Sequence, residues 1–184
     1  MQLRKRRFFC MVYSKREAFL RRLIFASLFT AMSIVLGKYI QITTLTVRIS
    51  FENLPILASG ILLGPVWGAS VGLVADLVGC VLVGYEINPI ITAGAVVVGS
   101  VCGLAYRVVR VKNNSLRIGV SVALAHLFGS VALKSLGFYV YYSTPYQVVA
   151  LERLGVYTLI SIAEIIVLCL IFSNKGIKML TERL

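Results

Sequence analysis

Charge is scarce in this chain. Only 14% of its 184 residues are Asp, Glu, Lys or Arg, against ~25% in an ordinary soluble domain. Acids are scarcer still, 7 against 19 cations. Hydrophobic residues make up 59% and mean hydropathy is +0.90. This balance excludes a disordered chain and argues against a soluble globule with one ordinary core. Histidine occurs once and cysteine four times. Cys10, Cys80, Cys102 and Cys169 lie far apart with no CxxC or Cys/His spacing, so neither a metal site nor a disulfide framework is expected. His126, alone in an apolar setting, reads as structural. There is no Walker lysine loop, Gly99-Ser100 has no nucleophile motif around it, and no nucleophile–base pair is evident; P-loop ATP hydrolysis and a membrane enzyme are both disfavoured. No cofactor is expected. The net charge of +12 comes without an RNP-like, helix-turn-helix or zinc-finger pattern, so nucleic acid is not the expected partner.

What the chain has is long apolar runs, enough for several bilayer crossings at ~20 residues each. The first spans about 20–40. The second, about 54–63, ends at the breaker pair Gly64-Pro65. The others run about 66–84, 90–109, 116–142 and 154–172. The second is short for ~30 Å of hydrocarbon, which leaves five crossings as an alternative to six. The first run follows a basic stretch as a signal peptide would. It continues into Lys38-Tyr39-Ile40 without a small-x-small cleavage site, and is read as a retained first helix. The expected organisation is a basic cytoplasmic tail (1–19), a six-helix membrane domain (20–173) and a cytoplasmic tail (174–184). The expected fold class is an all-α integral membrane protein with six transmembrane helices.

Thr46-Val47-Arg48-Ile49-Ser50-Phe51 alternates apolar and polar, a strand period. Open backbone cannot face lipid, so this is a strand-like loop between helices 1 and 2, either a plain connector or a cap over a site.

Cation placement sets the orientation. With alternating helices, fifteen Lys and Arg fall on the side of the termini and three (Lys38, Arg48, Arg153) on the other, with Lys134 left inside a helix. The positive-inside rule then puts both termini in the cytoplasm. Glu52, Glu86, Glu152, Asn53, Asn88 and several tyrosines gather on the outer side, either as an interfacial belt or as a site open to the outside. Asp76, Lys134 and Glu164 lie within apolar runs and should face the bundle interior, as a structural ion pair or as a ligand cluster. Gly60, Gly64, Gly68 and Gly72 recur every four residues, and Gly99 and Gly103 repeat the spacing, which suits close helix packing. Ala26, Ser27, Thr30 and Ala31 form small-xxx-small pairs on the first helix, fit either for internal packing or for a partner.

Taken in order and spacing, several segments resemble the membrane-embedded substrate-binding S component of energy-coupling factor (ECF) transporters, with the folate branch the nearest in pattern. They are the small-residue first helix, Val47 through Ile56, Leu63-Gly64-Pro65-Val66-Trp67-Gly68, Ala75-Asp76-Leu77-Val78-Gly79 and the Lys134–Arg153 stretch. Tyr85 through Thr92 departs from the Pro-Gly-Phe-Thr-like turn of folate members. The resemblance implies a plasma-membrane vitamin-binding subunit with an outward-facing pocket. Its partners would be a transmembrane coupling subunit and two cytoplasmic ATPases. A pterin ring offers paired donors to a carboxylate and a flat face to aromatics, while a glutamate tail prefers Arg or Lys. The candidates are Asp76, Asn53 and Asn88 for the head and Arg48, Lys134 and Arg153 for the tail, with Ala26, Ser27, Thr30 and Ala31 for the coupling partner. The rival reading is a proton-coupled secondary transporter using Asp76 or Glu164; no inverted repeat supports it.

Overall fold

The computed structural model describes residues 2–43, 48–142 and 144–174; side chains of 1–15, 42–49 and 142 are outside the description. Helix α1 (Gln2–Ile34) leads into a π turn, Val35–Tyr39. Two short antiparallel strands follow, β1 (Gln41–Thr43) and β2 (Arg48–Ser50), with Gln41 opposite Ser50 and Thr43 opposite Arg48. The remaining elements are α2 (Asn53–Leu63), α3 (Pro65–Val83), α4 (Pro89–Val108), α5 (Asn114–Ala125), a π stretch at His126–Leu133, α6 (Lys134–Tyr142) and α7 (Tyr146–Ser173). The expected C-terminal tail lies, from 175 onward, outside the described residues, as do the side chains of the expected N-terminal tail through 15.

Local chemistry sets the boundaries. Gly64 takes φ +104° between α2 and α3, a backbone that residues with a Cβ avoid. Pro65 then opens α3 where its missing N–H costs nothing. Asn88 caps α4, its Oδ1 accepting from the amides of Ile90 and Ile91 at 3.0 and 3.3 Å.

Among the described residues, five helices are long and apolar enough to cross a membrane: Arg16–Tyr39, Pro65–Val83, Pro89–Val108, Asn114–Tyr141 and Tyr146–Ser173. Helix α2 is a shorter apolar helix of 11 residues and at ~1.5 Å per residue is about half a bilayer core long. Nine of its eleven residues are buried, so it is lined by protein and need not match the thickness of lipid. The core gathers Leu57 of α2, Val98 and Cys102 of α4, Ile118 and Val122 of α5 and Leu168 of α7. Apolar side chains such as Val66, Val81, Leu151, Leu159 and Leu170 point outward, as lipid-facing residues do.

Glycine lets α2, α3 and α4 meet backbone to backbone. A Cβ on Gly99 would sit 2.1 Å from the Gly68 carbonyl oxygen, one on Gly60 2.6 Å from that of Gly99, and one on Gly72 2.4 Å from that of Ala95. The four-residue glycine spacing thus serves close helix packing.

Two expectations are corrected here. The last helix begins at Tyr146, eight residues before the apolar run, so Glu152 and Arg153 are helical rather than in an outer loop. Val149, Arg153, Tyr157, Ile160 and Glu164 form one buried stripe of α7, in which polar residues break the hydropathy without breaking the helical period. Ala26, assigned to a partner surface, is 7% exposed and belongs to the core. It shares the inner stripe of α1 with Ser33, whereas Ser27 and Ala31 face outward.

Candidate binding site

A cavity of about 490 Å³ opens where one set of helix ends converges: the π turn after α1, the end of β2 and the residue before α2, the second half of α3, the start of α4, α6 and the first half of α7. Its wall carries three cations (Lys38, Lys134, Arg153), three acids (Glu52, Asp76, Glu86) and the aromatic rings of Tyr85, Phe138 and Tyr157. That volume falls within the usual range for small-molecule sites, ~300–1,000 Å³.

Helix α3 brings Asp76 to the wall, and Thr92 of α4 donates its hydroxyl to Asp76 Oδ2 at 2.6 Å. A carboxylate has about four lone-pair sites, so this bond leaves acceptor capacity for a ligand. Lys134, at the head of α6, is 4% exposed and donates to Glu52 Oε1 at 2.9 Å. Glu52 is fixed in turn because its carbonyl accepts from the Ser33 hydroxyl of α1 at 2.7 Å. The Arg153 guanidinium lies 4.5 Å from the centre of the Phe138 ring, a cation–π contact.

Of the six expected ligand residues, Asp76, Asn88, Lys134 and Arg153 line the cavity. Asn88 is engaged elsewhere: besides capping α4 it donates from Nδ2 to the Gly137 carbonyl at 3.3 Å, which locks α4 to α6. Asn53 does not line the cavity. It is fully buried at the start of α2, with neither amide atom hydrogen-bonded among the described residues. The backbone of Arg48 is in β2, but its side chain lies outside the described residues.

The intramembrane charges do not form one cluster. Glu164 is fully buried and pairs with His126, Oε2 to Nε2 at 2.5 Å, while His126 Nδ1 lies 3.1 Å from the Ser130 hydroxyl. Tyr157, part of the cavity wall, packs its ring 5.3 Å from that of His126. The pair therefore backs the wall instead of joining Asp76 and Lys134.

Sequence reasoning missed Lys38 and Tyr157. Lys38, at the end of the first apolar run, enters the sequence reading only as one of three cations on the outer side. The π turn Val35–Tyr39 advances each residue by less than the about 100° of an α-helix, which turns Lys38 back toward the face carrying Ser33 and Gly37. The second π stretch, His126–Leu133, directly precedes Lys134. Lys38 lies within one such wide turn and Lys134 directly follows the other, a feature frequent at functional sites.

Residues 21–177 match the family described as ECF transporter, substrate-specific component. The chain belongs to this family. It is a multi-pass membrane protein and a substrate-specific transport component rather than an enzyme. The ECF fold is shared with solved structures. A crystal structure of FolT bound with folic acid has a TM-score of 0.69 at 21% identity, covering 83% of this chain and 93% of that one. The S component of a bacterial ECF transporter has a TM-score of 0.62 at 19% identity, covering 86% and 97%. No curated protein sequence matches the chain.

Proposed function

We propose that this S component is the ligand-capturing subunit of an ATP-driven vitamin importer and that its ligand is folate or a related pterin, taken up from the extracellular side. One observation carries the reading. The cavity combines an acceptor carboxylate, Asp76, with cations and three aromatic rings at one end of the bundle. A pterin head presents adjacent N–H donors and a flat face, and its tail presents carboxylates, so each half of the ligand has a chemical counterpart. The fold-level likeness to FolT bound with folic acid supports the same choice.

In this reading the mouth of the cavity faces outward, the β1–β2 hairpin caps it, and both termini are cytoplasmic. The basic stretch from the end of α4 to the start of α5, with Arg107, Arg110, Lys112 and Arg117, lies at the opposite end, as the positive-inside rule requires. A coupling subunit with two ATPases supplies the energy, because the chain has no phosphate-binding loop of its own.

The test is calorimetric titration of purified protein with folic acid in the absence of ATP. Saturable one-to-one binding is expected, and no binding of any folate overturns the ligand assignment. Orientation is checked in a cysteine-free background with an impermeant thiol reagent added to cells. Glu86→Cys should be modified and Asn114→Cys spared; the reverse pattern overturns the outward-facing cavity.

A further inference from the structure

The three cations of the cavity are not equivalent. Lys134 is committed to Glu52, and Arg153 is engaged within the protein, including the ring of Phe138. Lys38 also lines the wall, yet among the described residues no carboxylate lies within ion-pair distance of it. Its ammonium instead rests 5.6 Å from the centre of the Tyr85 ring. Glu52 and Asp76 border the same small void as Lys38, so acids are close by but, among the described residues, not within ion-pair distance of it.

The stem of Lys38 occupies room that α3 provides by having glycine at one position. A Cβ on Gly79 would come 2.6 Å from Lys38 Cε and 3.5 Å from its Cγ. A lysine at a helix end ordinarily snorkels toward the headgroups. Here the π turn and the gap at Gly79 lay it along the cavity wall, where it is only half-exposed.

We propose that Lys38 is a substrate-binding residue, an anchor for a carboxylate of the ligand, and that Gly79 is the positioning residue that keeps its stem against α3. The proposal rests on the folate reading for the identity of the carboxylate. It assigns the tail of the ligand to the side of the cavity formed by the π turn after α1 and the end of α3, where Tyr85 offers an adjacent ring.

The experiment compares folic acid, which carries the glutamate tail, with pterin, which lacks it, on purified wild type, Lys38→Met and Gly79→Ala. Met keeps the apolar stem and removes the charge. Ala at 79 keeps the charge and displaces the stem, at little structural cost because a flexible side chain can move aside. Both variants should bind folic acid about ten-fold more weakly, since a partly desolvated charge pair is lost or displaced. Both should bind pterin within about two-fold of wild type. Equal losses for the two ligands, or no loss with folic acid, overturn the proposal. A second probe separates this from the ligand assignment: glutarate should raise the unfolding temperature of wild type and not that of Lys38→Met. If wild type fails to bind folic acid but glutarate protects it through Lys38, the anion anchor stands and the folate reading falls. If glutarate protects both proteins equally, or neither, Lys38 is not an anion anchor.

Discussion

The Lys134 ammonium donates to Glu52 Oε1 at 2.9 Å across 82 residues of sequence, joining the start of α2 to the start of α6. The two partners sit in different surroundings: the Lys134 side chain is 5% exposed and that of Glu52 24%. Removing one partner of a buried pair is costly chiefly when it strands the other charge away from water. The pair should therefore respond asymmetrically to substitution.

Glu52→Gln is expected to destabilise the protein by about 2 kcal/mol or more, because it strands a buried ammonium. Lys134→Met should cost less, about 1 kcal/mol, since the carboxylate it leaves can hydrate. The double variant should regain much of the Glu52→Gln loss. Thermal unfolding of the four proteins in one detergent measures the cycle, and equal effects of the two single changes would show that the pair is solvated.

Asp76→Ala is expected to weaken folic acid by about 2 kcal/mol or more, about thirty-fold, through loss of a charged acceptor. Thr92→Val should weaken it less, because Thr92 orients the carboxylate without supplying the acceptor. Titration of both variants decides the matter. An unchanged affinity in folded Asp76→Ala would assign Asp76 to the structure alone.

The fold was largely legible because hydropathy in a membrane chain reports directly on which segments avoid water. The apolar runs and the breaker at Gly64-Pro65 correspond to helices and a turn in the structure. The site was less legible, for reasons visible at particular residues. Which acid Lys134 meets depends on how α6 is rotated about its axis, and the preceding π stretch changes that rotation without a sequence signal. Hydropathy hid the first turns of α7, where Gln147, Glu152 and Arg153 interrupt the apolar count. A search for polar residues at helical spacing would have joined Arg153, Tyr157 and Glu164 into one inward stripe. Asn88 looked like a ligand because a cap and a ligand residue share the same side-chain chemistry; only the bonds to Ile90, Ile91 and Gly137 separate them.

Glycine substitutions should divide by what a methyl would meet. At Gly99 it would meet the carbonyl oxygen and carbon of Gly68 at 2.1 and 2.4 Å, backbone atoms of a helix that cannot move alone. Gly99→Ala is expected to cost about 3 kcal/mol or to prevent folding. Gly155 has nothing within 4 Å, so Gly155→Ala should stabilise α7 by about 0.5–1 kcal/mol through its helix propensity. Unfolding temperatures check both signs, and a harmless Gly99→Ala would mean that α3 and α4 are not packed this closely.

The outward small residues of α1 offer a test of coupling. In lipid, helices associate through close packing, which small side chains permit. Ser27 and Ala31 are exposed one turn apart, whereas Ala26 is in the core. Ala31→Trp is therefore expected to abolish co-purification with the coupling subunit and vitamin uptake, while folic acid binding by the isolated protein stays within about two-fold. Ala26→Trp should instead overfill the core and reduce folding and binding together, by about 1–3 kcal/mol or more. Affinity and partner co-purification measured on both variants separate the two faces. If Ala31→Trp assembles normally, the coupling subunit docks elsewhere, and the exposed stripe of α1 faces only lipid.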